Sequence, residues 1–418
     1  MTPDASGDAE DSPQPKRLGR RDLILLTLAA AVVTANAYYI HPIISLVAKD
    51  FDVSPSEIGL VPALNQIALA LGIFLLLPLG DRFSNRRLAT VFAAGQLIGL
   101  VVMAVASQFW LFVAGSTFLG FSTITPYLLP AYASKRVEPG RLGQVTATLT
   151  TGVIGGILLA RVGAGWVGEH LGWRTVYFIA ASVMAVVTFM LPRIMDERER
   201  AERDAPAHNY FRLVLSVFPI VRQHPEVLLS GTIQGLGFGI FLSVWLGLGL
   251  YLTSPEMGYG ADTVGYLAAV SLLNLLTTPF MGAWADRTGP RKARAFISLV
   301  QFSGVCLLGL FGHSLWLLLV PIMIMNVVGP LVDITGRMTF LSLPPNVRTR
   351  LMTAYIVLMF IGGGLASWGA TYAYEHAGWR GTTTLTLSLS AILVVLSFLG
   401  WWLGPERRKS KIDKGSAT

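Results

Sequence analysis

The sequence predicts an all-α integral membrane protein, with twelve transmembrane helices arranged as two pseudo-symmetric six-helix bundles. Three observations lead to this prediction. Only 13% of the 418 residues are charged and 53% are hydrophobic, so the chain is too poor in charge to cover a surface exposed to water. Twelve apolar runs follow one another, each about long enough to cross a bilayer. Landmark residues of the first half also recur in the second half.

The apolar runs account for the predicted spans one by one. A spanning helix needs about twenty mostly apolar residues. The runs are continuously apolar rather than alternating, which excludes a membrane β-barrel. Polar or turn residues separate neighbouring runs, which lie near 23–46, 57–80, 88–106, 109–132, 143–168, 175–193, 227–252, 263–284, 294–312, 315–338, 350–374 and 381–403.

Lys and Arg are distributed unequally between alternate loops. If the N-terminus is cytoplasmic, the outer loops hold only Lys49, Arg174 and Arg380, and Arg161 lies within a span. The other 28 of the 32 Lys and Arg residues fall on the cytoplasmic side or at inner helix ends. Because short cytoplasmic loops carry the excess of positive charge, both termini are predicted to be cytoplasmic.

A charged stretch between the sixth and seventh runs divides the chain. Residues 196–209, DERERAERDAPAHN, predict a cytoplasmic linker, and an interfacial helix follows it. The first run has basic residues before it and no clear cleavage site after it, so it predicts a span rather than a signal peptide. The predicted units are a disordered cytoplasmic N-terminus (1–20), an N-terminal bundle (21–195), the linker with its helix (196–225), a C-terminal bundle (226–404) and a basic cytoplasmic tail (405–418).

Three landmarks of the first half recur in the second half at offsets of 204 to 206 residues. They lie at equivalent helices, which predicts a parallel repeat related by an axis along the membrane normal. The pairs are Asp81 with Asp286, His170 with His376 (each within a Glu-His-x-Gly-Trp-Arg segment) and Pro126 with Pro330.

The loop after the eighth run carries the residues by which the chain resembles a known family. Gly282-Ala-Trp-Ala-Asp-Arg-Thr-Gly-Pro-Arg-Lys292 resembles the Gly-x-Leu-Ala-Asp-Arg-x-Gly-Arg-Lys signature of the major facilitator superfamily. The first copy, around Asp81, keeps the acid and the arginines but has Leu77 and Ser84 where glycines are usual. With the helix count and the repeat, the resemblance covers about residues 20–404 and is to the twelve-helix bacterial exporters of this superfamily.

The resemblance implies a secondary active transporter that works by alternating access, similar to the proton-coupled drug exporters of the bacterial inner membrane. In that family the signature loops lock the cytoplasmic side by pairing with basic residues and a helix N-terminus. The resemblance gives this gating role to Asp81, Arg82, Arg86, Asp286, Arg287 and Arg291.

Two departures concern the antiport machinery of those exporters. The arginine usual in their fourth span, four residues before a glycine, is replaced here by Ser116, four residues before Gly120. Their Gly-Pro motif in the fifth span corresponds to Gly156-Ile157, so the glycine-rich character is kept and the proline is not.

Arg161, in the outer half of the fifth run, is the strongest candidate for a functional side chain. A membrane-centred arginine costs about 2.5–3.5 kcal/mol on insertion scales, so we expect it to face a cavity or a partner. The alternative is a side chain that extends to the outer headgroups. No acid lies at its depth in the N-half runs, so we hypothesise that it binds an anionic or strongly hydrogen-bonding substrate group.

Other polar and aromatic residues are expected to line the same cavity. In the first run Tyr38 and His41 share one face. The alternative for such residues is hydrogen bonding between helices, which is common for polar side chains in membrane spans. The full set of predicted cavity residues is Arg161, His41, Tyr38, Gln66, Asn65, Trp245, Asn274 and Asn326.

The tenth run has one polar face with Asn326, Pro330, Asp333 and Arg337. Asp333 is the only acid clearly within a run of the second half, and Arg337 lies one helical turn away from it. Two interpretations stay open: a proton carrier that titrates, or a salt-bridged inner gate. The position of Asp333 near the cytoplasmic end favours the gate.

Other functional classes fit the sequence poorly. The basic residues lie in short bursts between apolar runs and do not form a nucleic-acid-binding stripe. Gly235, Gly237 and Gly239 lack the preceding strand of a dinucleotide site, and no Walker motif indicates ATP drive. A single cysteine, Cys306, excludes a disulfide and a cysteine-based metal cluster. An intramembrane enzyme would need clustered carboxylates or metal ligands at one depth, and the sequence has no such cluster.

We therefore expect no cofactor, no metal and no enzymatic activity. The expected partners are membrane lipid, a small-molecule substrate and the proton as coupling ion, with the chain acting as a monomer. Efflux of small organic molecules is the leading prediction. Uptake or exchange of organic anions or sugars is the alternative, and Arg161 and His41 favour anions over cations.

Overall fold

The computed structural model describes residues 18–134, 136–196, 210–340 and 343–403. The predictions for the N-terminal segment up to residue 17, for the charged linker 197–209 and for the tail from residue 404 fall outside the described residues. The described ranges consist of helices and turns and contain no strand, which confirms the all-α class.

Within the described ranges, ten helices are long and apolar enough to cross a membrane, and a bent pair, 261–278 with 280–288, forms an eleventh span. One of the ten, Pro345–Trp402, has non-helical dihedral angles at Ala377 and Gly378 and is therefore two spans, which gives twelve. The spans are α1 Arg20–Phe51, α2 Pro55–Gly80, α3 Asn85–Val105, α4 Phe109–Ser134, α5 Leu142–Leu171, α6 Trp173–Ile194, α7 Glu226–Leu252, α8 261–288, α9 Pro290–Leu310, α10 Leu315–Met338, α11 345–376 and α12 379–402.

Two short helices, Tyr210–Leu215 and Val217–Gln223, precede α7. The Tyr210 hydroxyl donates a hydrogen bond to the Leu75 carbonyl, and the rings of Phe218 and Phe74 lie 5.9 Å apart. These contacts fix the short helices against the end of α2. We call this end of the molecule, where odd-numbered spans begin and even-numbered spans end, the linker side, and the other end the opposite side.

The repeated Glu-His-x-Gly-Trp-Arg segments adopt the same local structure at the ends of α5 and α11. His170 and His376 each contact the backbone carbonyl four residues earlier through Nδ1, at 3.0 and 2.9 Å. Gly172 and Gly378 both have positive φ, 85° and 56°, a conformation that glycine reaches without a Cβ clash. The two halves thus repeat in local backbone structure as well as in sequence.

The first span is interrupted between Ala35 and Ile40, and its sequence explains the break. Pro42 has no N–H, and its ring would clash with the carbonyl four residues earlier, at Tyr38, in a regular helix. The backbone tightens instead: the N–H groups of Tyr38 and His41 donate to carbonyls three residues back, at 2.9 and 3.3 Å. Such tightened turns within helices often mark functional positions.

Small residues pin α5 against α1. A Cβ at Gly156 would lie 2.2 Å from the Ala31 carbonyl oxygen, and one at Gly152 would lie 2.6 Å from Thr27. Small residues at four-residue spacing let helix backbones approach closely within membranes. Arg161 is displaced from this row by about one residue, so its side chain leaves α5 on the face turned toward the second half.

Candidate functional site

Arg161 lies at the interface of the two halves and is only 2% exposed. Three aromatic rings surround its guanidinium carbon: Phe241 at 4.6 Å, Trp245 at 4.7 Å and Tyr38 at 5.4 Å from the ring centroids. Phe241 and Trp245 belong to α7, so the second half supplies two of the three rings. Burial of this kind rules out a side chain that extends to the outer headgroups.

His41 is the hydrogen-bonding partner of Arg161. Nη2 of Arg161 and Nδ1 of His41 are 3.2 Å apart, and the imidazole is fully buried. The Tyr38 and His41 rings meet edge to face at 5.3 Å. The break in α1 therefore places both of its candidate residues on Arg161, as their shared face predicts.

The charge of Arg161 is not matched by a carboxylate among the described residues. Two acids at the opposite-side ends of N-half spans are used elsewhere: Asp50 pairs with Arg174 at 2.7 Å, and Glu169 accepts a hydrogen bond from the Ala261 N–H. Burying an unpaired ion costs several kcal/mol even after relaxation. Each cation–π contact returns about 0.5–2 kcal/mol, so the rings offset this cost only in part.

Further polar side chains lie at the depth of Arg161. Arg161 and His41 are each ten residues from the opposite-side ends of α5 and α1, and Gln66 is eleven residues from that end of α2. At about 1.5 Å per residue, all three lie about 15 Å from the helix ends. Gln66 is fully buried, and neither of its amide atoms has a hydrogen-bond partner within the described part of the chain. In α8, Asn274 also has a buried amide oxygen without a described partner.

Two of the predicted cavity residues join neighbouring helices instead. The Asn65 amide donates to the Ser116 carbonyl at 2.7 Å, and a Cβ at Gly120 would lie 2.2 Å from the Asn65 carbonyl. The side-chain amide oxygen Oδ1 of Asn326 accepts a 2.8 Å hydrogen bond from the Ser271 hydroxyl. Asn65 therefore fastens α2 to α4, where the resembled exporters carry an arginine, and Asn326 fastens α10 to α8.

On the opposite side, the two halves touch through glycines. A Cβ at Gly165 of α5 would lie 2.6 Å from the Ala261 carbonyl and 3.0 Å from the Gly265 Cα of α8. A Cβ at Gly249 of α7 would lie 2.5 Å from the His41 carbonyl, and one at Gly364 of α11 would lie 2.8 Å from an α2 carbonyl. Gly165 lies one helical turn beyond Arg161 along α5, so its contact closes the interface next to the arginine.

Two glutamates reinforce the closed side in a reciprocal way. Glu169, at the end of α5, accepts a 2.7 Å hydrogen bond from the Ala261 N–H at the start of α8. Its repeat equivalent, Glu375 at the end of α11, accepts a 2.8 Å hydrogen bond from the Ser56 N–H at the start of α2. Each half thus places a carboxylate on a helix N-terminus of the other half, where negative charge is favoured.

Toward the linker side, the Arg161 face of α5 becomes exposed. Ala147, Thr150 and Thr151 are exposed, whereas Arg161 and Gly165 are buried. Elsewhere the halves still meet on this side, because the Tyr127 ring of α4 contacts the Phe360 ring of α11 at 6.3 Å. The face of α5 that carries Arg161 is therefore buried at the arginine and exposed toward the linker side.

Asp333 and Arg337 form an ion pair in α10. Nε of Arg337 lies 2.8 and 2.9 Å from the two carboxylate oxygens, and the Tyr355 hydroxyl donates to Asp333 at 3.0 Å. The cluster joins α10 to α11 near the linker side, at some distance along the helices from the depth of Arg161. All three residues belong to the second half, so the choice between a gate and a proton carrier stays open.

The signature loops lie at the linker-side ends of α2 and α8. Asp286 is exposed and makes no hydrogen bond or ion pair with any described residue, and Arg287 is also exposed. Arg291 pairs with Glu226 of α7. In the first copy, Arg82 and Arg86 flank the start of α3, and the side chain of Asp81 is outside the description. The lock that the resemblance implies for Asp286 is therefore not formed with any described residue.

The sequence partly indicated two features of the site: the aromatic rings around Arg161 and the contacts of Glu169 and Glu375. Phe241 was not among the predicted site residues, although it lies one turn before Trp245 in the same run. Glu169 and Glu375 belong to a repeated segment, which served only as a landmark of the repeat. A charged residue repeated at equivalent helix ends was the available signal for a paired contact.

A chain of twelve spans in two repeated halves, with a buried arginine between the halves, has the architecture of a membrane transporter. The chain belongs to the major facilitator superfamily, because that family's model matches residues 26–271 and 227–418. The resemblance seen in the signature loops is thus confirmed.

Named relatives and a solved structure agree with this class. The chain is 27% identical over 394 residues to the uncharacterized transporter YgaY of Escherichia coli O157:H7, which covers 93% of this chain and 96% of that one. It is 26% identical over 311 residues to the multidrug resistance protein MdtG of Escherichia fergusonii, covering 70% and 71%. The inward-facing, unoccupied crystal structure of a bacterial homologue of the human lysosomal transporter Spinster has the same fold, with a TM-score of 0.73, 14% identity and coverage of 91% and 96%.

Proposed function

We propose that the chain is a secondary active exporter that carries small organic molecules out of the cytoplasm by alternating access, driven by the proton gradient. The observation that carries this proposal is the position of Arg161, buried without a described carboxylate between the two halves. A substrate held there contacts both halves, so opening of either side changes its access. The moving units are the predicted bundles 21–195 and 226–404, in a single chain.

Charge and kinship support the direction of transport. The excess of Lys and Arg on the linker side favours a cytoplasmic location for that side. In the proposed cycle the site opens along α5 toward the linker side and receives substrate from the cytoplasm. One relative, MdtG, is named for multidrug resistance, which agrees with export.

Asp333 is the candidate for proton coupling. Its carboxylate is held by Arg337 and Tyr355 at the α10–α11 contact. A proton bound to this carboxylate would remove its negative charge and weaken the ion pair with Arg337. The contact between α10 and α11 would loosen as a result, which links proton binding to movement of helices in the second half.

Transport by purified protein in proteoliposomes tests this proposal. The assay follows anionic, neutral and cationic compounds against an imposed pH gradient, with the membrane potential clamped by potassium and valinomycin. Movement of a compound against the proton flux, abolished by nigericin, is the expected result. Transport that is indifferent to the pH gradient would contradict proton-driven export.

Exchange or uptake of organic anions is a second candidate function. The specific observation in its favour is the guanidinium of Arg161, which meets aromatic rings and a neutral acceptor but no described carboxylate. Counterflow separates the two: liposomes preloaded with an unlabelled organic anion would take up the labelled anion without any pH gradient if the chain is an exchanger.

A further inference from the structure

We infer that the site around Arg161 and His41 binds an organic monoanion, a carboxylate carried on a flat apolar body. This inference rests on the proposed function, because it names the substrate class of the same transport site. It differs from a general preference for small organic molecules in requiring one particular group, and it follows from the donors, the charge and the walls of the site.

The hydrogen bond between Arg161 and His41 fixes the state of the imidazole. A guanidinium has only donors, so Nδ1 of His41, 3.2 Å from Nη2, must accept. The imidazole is therefore neutral and carries its proton on Nε2. Nε2 is buried and has no partner in the described part of the chain. His41 thus presents an N–H donor that has no acceptor among the described residues.

The unpaired N–H group of Arg161 indicates the same kind of ligand. Its Nε is also buried without a described partner. Two unpaired donors, one on a guanidinium and one on an imidazole, favour a ligand group that offers two acceptors and no donor. A carboxylate meets this requirement, because it offers two oxygens and no donor, and it matches the planar fork of arginine.

The charge and the walls restrict the ligand further. With His41 neutral and no described carboxylate on Arg161, the site holds a single positive charge, which one negative charge balances. The rings of Tyr38, Phe241 and Trp245 surround the guanidinium with flat apolar side chains. Flat rings pack well against such surfaces in stacked or edge-to-face contacts. A planar carboxylate with an attached aromatic or similarly flat body fits this environment better than a tetrahedral, doubly charged phosphate.

Two of the three rings belong to α7, in the half opposite to that of Arg161. A ligand on Arg161 therefore lies against both halves, and separation of α7 from α5 uncovers it. Gln66, at the same depth in α2 and with both amide atoms unpartnered among described residues, is available for a further polar group of the ligand. The residues that bind the ligand and the rings that cover it therefore lie at the same depth of the interface.

Equilibrium binding to the purified full-length protein in nanodiscs tests the inference. The probes are naphthalene-2-carboxylate, benzoate and cinnamate, each compared with its own uncharged amide by isothermal titration. We expect at least one carboxylate to bind about tenfold or more tightly than its amide, which is a difference of about 1.4 kcal/mol. Equal affinity within every pair would overturn the inference.

Variants then assign the preference to the two side chains. Arg161→Lys is expected to lower carboxylate affinity about tenfold, since a point charge replaces a planar fork. His41→Phe removes the second donor and is expected to reduce the preference for carboxylate over amide. Arg222→Lys, the same substitution at an exposed position of the linker helices, is the control and is expected to bind as the wild type does. Wild-type affinity in Arg161→Lys would overturn the assignment, and if that variant does not fold, the wild-type comparison of carboxylates with amides still decides.

Binding and transport separate this inference from the proposed function. Carboxylate-selective binding without proton-driven export would leave the inference standing and defeat the export proposal. Proton-driven export of neutral or cationic compounds, with no carboxylate preference in binding, would do the reverse.

Discussion

Glu169 of α5 accepts a 2.7 Å hydrogen bond from the backbone N–H of Ala261, the first residue of α8 in the other half. Its counterpart Glu375 makes the same kind of contact to Ser56, at the start of α2. The two contacts are related by the internal repeat and both span the interface on the opposite side. They form only while that side is closed, so they bias the transporter toward this conformation.

Removing the two negative charges is expected to open the opposite side. In the variant Glu169→Gln with Glu375→Gln, each amide still fits, but a charge-assisted bond becomes a neutral one of about half the strength. We expect the population with a closed opposite side to fall by roughly fivefold. Spin labels at positions 108 and 313, in opposite-side loops of the two halves, should show a longer distance.

Glu57 provides the matched control for the glutamate pair. It lies on the same side and accepts a 2.9 Å hydrogen bond from Ser54, but both residues belong to the first half. Glu57→Gln should leave the 108–313 distance unchanged. If it lengthens that distance as much as the double variant does, the effect is general and the two interface contacts have no special role.

The glycine contact between α5 and α8 supports a second prediction. Gly165→Ala adds a Cβ that would lie 2.6 Å from the Ala261 carbonyl, whereas a Cβ at Gly163 meets nothing within 4 Å. Overpacking typically costs about 1–3 kcal/mol, so the closed side should become less populated and transport slower by about fivefold or more. Gly163→Ala, on the same helix, should transport normally. Equal transport by both variants would show that this contact does not limit closure.

The exposed carboxylate of Asp286 leads to a third prediction. It has no described partner in this structure, so we expect its lock to form in another conformation of the transport cycle. Asp286→Asn should therefore slow transport severalfold while substrate affinity in detergent stays near the wild-type value. Lost affinity with normal gating distances would instead place Asp286 in substrate binding.

Membrane orientation gives a fourth prediction, in a background with Cys306→Ser. A cysteine at Gln223, in the second linker helix, should resist a membrane-impermeant thiol reagent added outside intact cells. A cysteine at Glu256, in an exposed opposite-side loop, should react. Equal labelling of both positions would contradict the orientation derived from the Lys and Arg count.

The sequence predicts the spans well because each run has to be apolar and long enough to cross the bilayer by itself. Residue composition and run length are local properties, so the twelve spans, the repeat and the presence of Arg161 within a span could all be read directly. Pro42 could also have indicated the break in α1, since a proline inside a helix removes a hydrogen bond wherever it occurs.

The partner of each helix face is not a local property, and here sequence reasoning reaches its limit. Asn65 and Gln66 are neighbours in α2, yet Asn65 fastens α4 and Gln66 has no described partner. Their side chains project about 100° apart around the helix axis, and only the packing of α2 against its neighbours decides which face meets another helix. The contact of the Phe241 ring with Arg161 could not be predicted from the sequence for the same reason, because it depends on how the two halves pack together.

We propose that Arg161 binds the substrate through its planar fork, and transport by Arg161→Lys in proteoliposomes measures the contribution of that fork. The variant keeps the positive charge and replaces the fork with a point charge. We predict that it reaches the membrane at wild-type levels and loses most of the transport, about tenfold or more, while Arg161→Ala loses nearly all of it. Transport by Arg161→Lys at the wild-type rate would contradict the claim.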